Sequence, residues 1–441
     1  MTLNDSDLAA LYTTHLLVMA ERLECALAAS KFDALVIFSG ALQSKPRDDI
    51  EYPFRVEPHF AAWLPLTQLP GAALILVPND RPVLIYPLLE DFWHAQACEP
   101  DGYWVEHFDI RISESNVAAR DIACHAGKRY AAIGDSIYDD SCFAALNDRL
   151  LLDQLDYFRA SKTPYEIACL EQASIRAATG HRAVAQAFVE GGSEFELHQI
   201  YCTATRQRES ELPYPNIVAL NEHAAVLHYQ SLDLAAPKIP KSFLIDAGAQ
   251  YAGYAADVTR TWAAEAGLFK ELIDSMEVLQ QQLCTELHGG IDFVDLNERA
   301  HQLLAGVLVQ HDMVTCSAED SYTSGVTRAF LPHGLGHLLG LQVHDAGGQQ
   351  STPGGDLRSP PEQHPYLRLT RILQPGFVLT IEPGIYFIVS LLKALAPDLQ
   401  GVLNWTTIKQ LLPYGGIRIE DNLVVQETRS RNLTREAFSG I

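Results

Sequence analysis

The segment SFLIDAGAQYAGYAADVTRTW, residues 242–262, contains two aspartates within apolar sequence. Asp246 follows three apolar residues in a pattern that predicts a β-strand, where a half-buried carboxylate needs a partner. We predict a hairpin whose turn is centred at Tyr251 and Ala252, eased by Gly253. In that register Asp246 and Asp257 lie directly opposite each other, where two like charges repel unless a divalent cation lies between them.

Two aspartates alone do not indicate a metal site, because capping a turn is the more common role of Asp in such a segment. Residues that commonly bind metals also occur later in the chain. The segment LPHGLGHLLGLQVHD (331–345) places His333, His337 and His344 among Gly and aliphatic residues. A single histidine in such surroundings is usually a satisfied core residue. Three so close together favour a metal site or a proton-transfer site.

Two glutamates also occur in apolar, strand-like sequence near the C-terminus. Glu382 lies inside the predicted strand of residues 378–387, and Arg418 and Glu420 share one face of the predicted strand within 415–425. Taken alone, each glutamate is consistent with a salt bridge on an edge strand. Together, four carboxylates and one histidine on strand-like segments suit two hard or borderline divalent cations that share a site.

The composition limits the partners of the chain. A formal net charge of −23 without a basic run argues against nucleic acid and against anionic membrane surfaces. The eight cysteines are scattered without a C-x-x-C pair, which indicates reduced thiols and a cytoplasmic location. The N-terminal sequence favours an amphipathic helix over a signal peptide, and no apolar run approaches the roughly 20 residues that span a bilayer.

The order of the predicted elements indicates an α+β chain with two domains. A mixed α/β domain is predicted from strands at 32–40, 72–88 and 130–135, with a boundary before Pro164. Beyond it, a helix pair followed by strands occurs twice. The predicted helices are 165–188, 194–206, 268–288 and 292–311, and the later strands lie within 376–388 and 415–426.

These motifs resemble those of a known family. D-A-G, A-A-D-V-T-R-T-W, H-G-L-G-H, V-H-D, T-I-E-P-G-I-Y and G-G-I-R-I-E-D are similar to motifs of the pita-bread metallopeptidases, the proline dipeptidase and aminopeptidase P group. Residues 52–65, 216–229 and 366–376 resemble the bacterial Xaa-Pro dipeptidase (prolidase) branch. The resemblance implies a creatinase-like α/β domain at 1–158 and a pita-bread catalytic domain at 159–441.

The resemblance also implies a metallo-exopeptidase that releases proline from Xaa-Pro dipeptides. It implies two divalent ions, typically Mn²⁺, that activate a hydroxide for attack on the scissile carbonyl. Asp257 and Glu420 would bridge the ions, and Glu382 would also act as general base and then general acid. The implied ligand set is Asp246, Asp257, His337, Glu382 and Glu420.

Three further histidines would serve the reaction. His228 and His344 match histidines that in relatives contact the substrate carbonyl or the developing oxyanion. His333 would either join them or orient a neighbouring residue.

The remaining expectations concern the two ends of a dipeptide. Arg368 resembles an arginine that binds the free carboxylate. Arg418 belongs to the same substrate-binding set and is expected to support the metal site, the alternative being a surface salt bridge. Asp49, Tyr214 and Val343 resemble residues of a small pocket near the substrate amine. The Asp49 contact would cross the interface of a homodimer.

Two rival functions remain open at this level. Aminopeptidase P shares the metal ligands but accepts longer peptides, and a non-catalytic pita-bread module would bind peptides without cleaving them. The family also implies promiscuous hydrolysis of organophosphate triesters. Rates on Xaa-Pro and Xaa-Pro-Xaa substrates would discriminate between the two peptidases.

Overall fold

The computed structural model describes residues 5–88, 92, 98–114, 129–135 and 143–440. The chain divides into two units. The first contains Met1–Cys169, Ala252–Tyr254 and Ser351–Asp356, and the second contains Leu170–Tyr251, Ala255–Gln350 and Leu357–Ile441. A long helix, Pro164–Val189, passes through residue 169. The domain boundary predicted between residues 158 and 159 therefore stays a prediction.

One mixed sheet organises the first unit. Its strands are β1 (Ala34–Phe38), β2 (Ala73–Leu76), β3 (Val83–Pro87), β4 (Asp109–Ser113), β5 (Tyr130–Ile133) and β6 (Ala145–Leu146). Their order is β4-β3-β2-β1-β5-β6, and every residue of β1 is buried, as a strand with neighbours on both sides requires. β2 and β3 pair antiparallel, and both lie within the stretch 72–88 that was predicted to form β-structure.

The helices of the first unit within the described residues are α1 (Asp5–Ser30), α2 (Pro58–Trp63) and α3 (Arg149–Arg159). α1 confirms the predicted amphipathic helix. Its buried apolar residues recur at helical spacing: Leu8, Tyr12, Met19, Leu23, Ala26 and Leu27. α1 packs along α3.

Four long helices were predicted within a few residues of their true ends: α4 (Pro164–Val189), α5 (Glu194–Thr205), α6 (Leu268–Glu286) and α7 (Phe293–Gln310). A capping box between Ser193 and Glu196 begins α5, and the Asp292 side chain caps α7. Shorter helices follow: α8 (Ala318–Thr323), α9 (Thr327–Phe330), α10 (Val389–Ala394), α11 (Pro397–Gly401), α12 (Trp405–Leu411) and α13 (Leu433–Gly440). Among the described residues, no helix has both the length and the hydropathy that a bilayer crossing needs.

The strands from residue 217 onward form several small sheets. They are β7 (Ile217–Leu220), β8 (Ser242–Asp246), β9 (Gln250–Tyr251), β10 (Tyr254–Ala255), β11 (Thr259–Ala263), β12 (Val378–Ile381), β13 (Gly384–Tyr386), β14 (Gly416–Arg418), β15 (Asp421–Val424) and β16 (Arg431–Asn432). The sheet orders are β11-β8-β7, β12-β15-β16, β13-β14 and β10-β9. Single bridges at Thr259–Glu420 and Leu338–Leu379 bring the motif-bearing segments together.

The predicted register of the first hairpin is wrong. Ala252 and Gly253 have φ of 50° and 88°, as in a two-residue type I′ turn, so the turn lies further along the chain than predicted. Asp246 consequently pairs with Thr259 and not with Asp257. Because side chains two residues apart point to the same side of a strand, the two aspartates are diagonal neighbours.

The two glutamates do not lie inside continuous strands, contrary to the prediction. Glu382 lies between β12 and β13, where Pro383 has no N–H to continue a ladder. Glu420 lies between β14 and β15. The chain changes partner at this point, since β14 pairs with β13 whereas β15 pairs with β12. Both glutamates therefore lie at junctions between sheets.

Candidate metal centre

The five predicted ligands lie together in the second unit. Nε2 of His337 lies 3.4 Å from Oδ2 of Asp257 and 3.6 Å from Oε1 of Glu382. Ligand atoms of Asp257, His337 and Glu420 lie within 4.8 Å of one another, and these three side chains are buried. The carboxylates of Asp246 and Asp257 both contact the hydroxyl group of one tyrosine. The sequence motifs, spread over 175 positions from Asp246 to Glu420, thus meet in one cluster.

That tyrosine is Tyr214, predicted to line the pocket near the substrate amine. Its hydroxyl oxygen lies 2.7 Å from Oδ1 of Asp246 and 2.5 Å from Oδ1 of Asp257. A hydroxyl has one proton, so it can donate fully to one of these carboxylates at a time. Tyr214 therefore holds the two aspartates side by side within the cluster of predicted ligands.

The H-G-L-G-H motif places His337 by close backbone contact. The Thr380 amide donates to the His337 carbonyl at 3.0 Å, and the His337 amide donates to Thr380 Oγ1 at 3.2 Å. A Cβ at Gly336 would lie 2.0 Å from the Thr380 carbonyl oxygen. Only glycine therefore allows this segment to lie against β12.

The surroundings of His337 favour its use as a ligand through Nε2. Nδ1 lies 3.0 Å from the Leu338 carbonyl oxygen, which fixes a proton on Nδ1 and directs Nε2 to Asp257 and Glu382. Burial alone would lower the pKa of His337, but its hydrogen bond with Asp257 and the charge of Glu382 raise the pKa overall. The surrounding carboxylates thus favour positive charge at Nε2.

The carboxyl groups of the cluster show the cost of crowding negative charge in a buried site. Burial raises the pKa of Asp246 to about 6 and that of Glu382 to about 7, and it raises the pKa of Glu420 well above its usual value. Burial would also raise the pKa of Asp257, but the His337 contact lowers it overall. A divalent cation reverses this repulsion, and a set of carboxylate oxygens with one imidazole nitrogen suits such a cation.

Arg418 is buried beneath the cluster and contacts three groups. Its Nη2 donates to Oδ2 of Asp246 at 2.7 Å, its Nη1 to the Tyr386 hydroxyl at 2.8 Å and its Nε to Thr259 Oγ1 at 3.1 Å. Thr259 in turn donates to Oε2 of Glu420 at 2.7 Å. Arg418 therefore supports two predicted ligands, and its role in substrate binding stays a prediction.

Sequence reasoning did not single out Thr259 and Tyr386, although both lie inside quoted motifs. Thr259 follows Asp257 by two positions and so shares its side of the strand, a signal that alternation could have provided. Alternation along one strand could not have indicated Tyr386, because Tyr386 contacts Arg418 from a strand that belongs to another motif. The pairing of β13 with β14 brings these two residues together.

His333 lies beside Glu382. Its Nε2 lies 2.8 Å from the Tyr386 hydroxyl, and its Nδ1 lies 2.8 Å from the Gly334 carbonyl oxygen and 3.7 Å from Oε2 of Glu382. Burial lowers the pKa of His333 to about 4, so its imidazole is neutral at pH 7. These contacts favour the supporting role among the two roles predicted for His333.

The other predicted contact residues lie around His344. The ring centroids of His337 and His344 are 4.4 Å apart in an edge-to-face arrangement. Burial and then the charge of His337 lower the pKa of His344 to about 4, and the charges of Arg368 and His228 act in the same direction. Arg368 and His228 are both exposed, and Val343, directly before His344, is half-buried.

Asp49 belongs to the first unit. It is exposed in a loop that a β-bridge between Ser44 and Glu51 closes. Its assignment to the pocket near the substrate amine, and its contact across a dimer interface, stay predictions.

Comparison with known proteins places the chain in a family. The model described as metallopeptidase family M24 matches residues 168–427. The chain belongs to metallopeptidase family M24. A second model, described as the N-terminal domain of Xaa-Pro dipeptidase, matches residues 10–157 of this M24 chain. The resemblance inferred from the motifs is confirmed.

Curated relatives of this M24 chain match along its length. An Xaa-Pro dipeptidase of Stenotrophomonas maltophilia (strain K279a) is 45% identical over 435 residues, which cover 98% of each chain. An Xaa-Pro dipeptidase of Shewanella pealeana is 43% identical over 431 residues, covering 97% of this chain and 98% of that protein. The interpretation of the chain as an enzyme of this family is confirmed.

Solved structures show the same fold. Proline aminopeptidase P II from Yersinia pestis has a TM-score of 0.71 at 24% identity, covering 95% of each chain. Zn-substituted Escherichia coli aminopeptidase P in complex with product has a TM-score of 0.71 at 24% identity, covering 95% of this chain and 94% of that chain. The predicted α+β fold with a C-terminal pita-bread domain is confirmed.

Proposed function

We propose that this M24 chain hydrolyses Xaa-Pro dipeptides and releases free proline. The cluster of four carboxylates and His337 carries the proposal, and the full-length similarity to curated Xaa-Pro dipeptidases supports it. The proposal needs a hydrolytic centre, a proton carrier and groups that recognise both ends of a dipeptide. The second unit contains candidates for the first two and for the carboxylate end.

Asp246, Asp257, His337, Glu382 and Glu420 would hold two divalent cations, with Mn²⁺ as the proposed metal. Asp257 and Glu420 are the proposed shared ligands, and their carboxylates lie within 4.8 Å of each other and of Nε2 or Nδ1 of His337. When bound, such cations polarise the scissile carbonyl and lower the pKa of water. The protein contributes a buried site of fixed shape in which Tyr214 and Arg418 orient Asp246.

Glu382 is the proposed proton carrier. Its carboxyl pKa is raised by burial to about 7, which suits a group that accepts and returns a proton at neutral pH. Oε1 accepts a hydrogen bond from Thr380 Oγ1 at 3.4 Å, and Oε2 faces His333. Glu382 would take a proton from the attacking water and deliver it to the leaving proline nitrogen.

His344 and His228 are the proposed donors to the substrate carbonyl oxygen as it gains negative charge. With its pKa lowered to about 4 by burial, His344 is a neutral imidazole at pH 7 that retains one N–H to donate. His228 is exposed, so its imidazole is accessible to a ligand. Removing one such donor costs about 10²- to 10³-fold in kcat in comparable enzymes.

Arg368 is the proposed ligand of the substrate carboxylate, and Asp49, with Tyr214 and Val343, is proposed to face its amine. Arg368 is exposed and its charge acts on His344, so it is available beside the proposed reaction centre. A guanidinium can bind a carboxylate through two parallel hydrogen bonds. The homodimer and the cytoplasmic location stay predictions.

Replacing Arg368 by Ala is expected to lower kcat/KM on an Xaa-Pro dipeptide about 100-fold, because the substrate carboxylate loses its charged partner. The loss on the C-terminally amidated dipeptide should be much smaller, since that substrate has no carboxylate to bind. Steady-state rates on both substrates measure the effect. Arg429→Ala removes an exposed arginine of the same unit and is the control. Equal losses on both substrates would contradict the assignment of Arg368.

Replacing Asp49 by Asn is expected to raise KM for the dipeptide about tenfold while metal content is unchanged, because one charge-assisted contact with the amine is lost. The neighbouring exposed Asp48→Asn removes the same charge and should leave KM unchanged. Kinetics on an N-acetylated dipeptide provide a second comparison. An unchanged KM in Asp49→Asn would remove this residue from the site.

The rival assignment is aminopeptidase P activity. Release of proline from an Xaa-Pro dipeptide, compared with cleavage of the matching Xaa-Pro-Xaa tripeptide, tests the substrate class. We expect the dipeptide to be the better substrate by at least tenfold in kcat/KM, equivalent to about 1.4 kcal/mol. Faster cleavage of the tripeptide would move the assignment to aminopeptidase P and leave Arg368 without the proposed role.

We extend the proposal to slow hydrolysis of organophosphate triesters. A centre that activates water beside an electrophilic carbonyl can also place that water beside an electrophilic phosphorus. Release of p-nitrophenol from a p-nitrophenyl phosphotriester is the assay. Activity that survives in Asp257→Asn would show that it does not come from this centre.

A further inference from the structure

Glu194 is a buried carboxylate that the reaction described above does not use. It lies at the first position of α5 and is 1% exposed. Oε1 accepts hydrogen bonds from the Leu220 amide at 2.8 Å and from Nδ1 of His223 at 2.7 Å. Oε2 accepts from the Tyr229 hydroxyl at 2.6 Å and from the Asp233 amide at 2.8 Å. A charge buried this deeply persists only with such partners.

All four donors belong to one segment, residues 220–233, which we call the 220–233 loop. Leu220 and Asp233 are its two ends, so one carboxylate holds both ends together. His223 and Tyr229 approach the carboxylate from within the loop, and their rings stack with centroids 4.5 Å apart. The Phe195 amide also donates to the Asp233 carbonyl at 3.2 Å. The conformation of the loop therefore depends on Glu194.

The 220–233 loop packs against the segment that enters the candidate metal centre. A Cβ at Gly415 would lie 2.5 Å from the Asn221 carbonyl oxygen, and a Cβ at Gly416 would lie 3.1 Å from the Ala224 carbonyl oxygen. Gly416 begins β14, the strand that ends at Arg418. The glycines allow the loop backbone to lie directly on this strand. The loop is thus fixed to Glu194 on one side and to β14 on the other.

His228 lies within this loop, one residue before the Tyr229 that donates to Glu194. The Tyr229 side chain is buried by its contact with Glu194, whereas His228 is exposed. A shift of the Tyr229 anchor would therefore move the imidazole of His228 with it.

Glu194, His223 and Asp233 are also close enough to suggest a second cation site. The hydrogen bonds argue against it. Each oxygen of Glu194 already accepts two hydrogen bonds, and two of the four come from backbone amides that cannot give up their protons. A cation would have to displace these donors. Glu194 is therefore held as an anion by four hydrogen-bond donors of the chain and is not placed as the ligand of a cation.

We propose that Glu194 is a positioning residue that holds the 220–233 loop in the conformation presenting His228 to the substrate. The proposal rests on the proposed function, in which His228 donates to the substrate carbonyl oxygen. Glu194 contacts no substrate; it acts through Tyr229 and the two ends of the loop. Gln at this position would place an NH₂ group against N–H and O–H donors, so it cannot replace the carboxylate.

The test is a double-mutant cycle on Xaa-Pro dipeptide hydrolysis with Glu194→Gln and His228→Ala. We expect Glu194→Gln to lower kcat about tenfold, as loss of a supporting partner does at comparable sites, with KM within about twofold of wild type. In the His228→Ala background, Glu194→Gln should lower kcat by less than about twofold, because the residue it positions is absent. Glu222→Gln removes an exposed charge from the same loop and should leave kcat unchanged. A full tenfold loss in the His228→Ala background would overturn the proposal.

Hydrogen exchange measures the loop without reference to activity. At least one of the amides of Leu220 and Asp233 should exchange at least tenfold faster in Glu194→Gln than in wild type, because they bind different oxygens of the carboxylate and glutamine keeps only one oxygen. Unchanged exchange would overturn the proposal.

The two proposals fail in different ways. If the wild-type enzyme were inert on Xaa-Pro dipeptides, the proposed function would fail. A normal wild-type rate, with additive effects of Glu194→Gln and His228→Ala, would reject only the role of Glu194. Should Glu194→Gln not fold, Tyr229→Phe takes its place in the same cycle, because it removes one donor to Glu194. The expected results are then faster exchange of the Asp233 amide and effects on kcat that are not additive with those of His228→Ala.

Discussion

Replacement of Asp257 by Asn is expected to remove divalent metal and hydrolytic activity together. Asp257 contacts Nε2 of His337 through Oδ2 and the Tyr214 hydroxyl through Oδ1, and it is a proposed shared ligand of both cations. An amide supplies one neutral oxygen where the carboxylate supplied two with a full charge. Since loss of a group that merely supports a ligand costs about 10- to 100-fold, loss of a shared ligand should lower kcat by more than about 100-fold.

The measurement pairs metal analysis with kinetics. Wild type and Asp257→Asn are loaded with Mn²⁺, passed through gel filtration and analysed for metal per chain and for proline release. Asp398→Asn removes an exposed carboxylate of the same unit and serves as the control. Normal metal content with full activity in Asp257→Asn would reject the shared site. Normal metal content with lost activity would separate binding from catalysis and reject the proposed bridging role.

Replacement of Arg418 by Met is expected to destabilise the chelator-treated protein by about 3–5 kcal/mol, the usual cost of removing one partner of a buried ion pair. Arg418 is buried and donates to Asp246, Tyr386 and Thr259 through three different nitrogens. Methionine fills much of the volume but leaves Asp246 without its cationic partner. Lysine restores the charge, yet a single ammonium group cannot reach all three acceptors in the same geometry.

Urea unfolding of the chelator-treated proteins measures this effect as a change in the free energy of unfolding. We expect Arg418→Lys to recover part of the stability lost in Arg418→Met, with Arg429→Ala as the surface control. A loss in Arg418→Met within about 0.5 kcal/mol of wild type would be typical of a surface arginine and would contradict its structural role. Added Mn²⁺ should offset part of the loss, because a cation bound to the folded state neutralises Asp246.

The family resemblance implied the five proposed ligands, and two of their carboxylates also stand out from the sequence alone because they interrupt apolar segments. Asp246 ends an apolar strand, and Glu382 lies between two apolar strands. A buried charge in such a position is retained only with a partner, so it is visible without a structure. The starts of two long helices were also predictable, because Ser193 and Asp292 are strong capping residues.

The relations between segments were not predictable in the same way. A one-residue difference in turn position changed the residue opposite Asp246 from Asp257 to Thr259, and two adjacent turn placements are nearly equivalent by composition. The change of sheet between Arg418 and Asp421 depends on long-range pairing. Glu194 gave no signal, because two of its partners are backbone amides that any sequence provides.

The most direct measurement is titration of the chelator-stripped protein with Mn²⁺ while bound metal per chain and proline release from an Xaa-Pro dipeptide are both recorded. We expect negligible activity in the stripped protein, recovery as metal binds, and saturation at two ions per chain, as a dinuclear centre requires. Full activity in the metal-free protein, or saturating metal binding without any release of proline, would contradict the proposed metal-dependent hydrolysis.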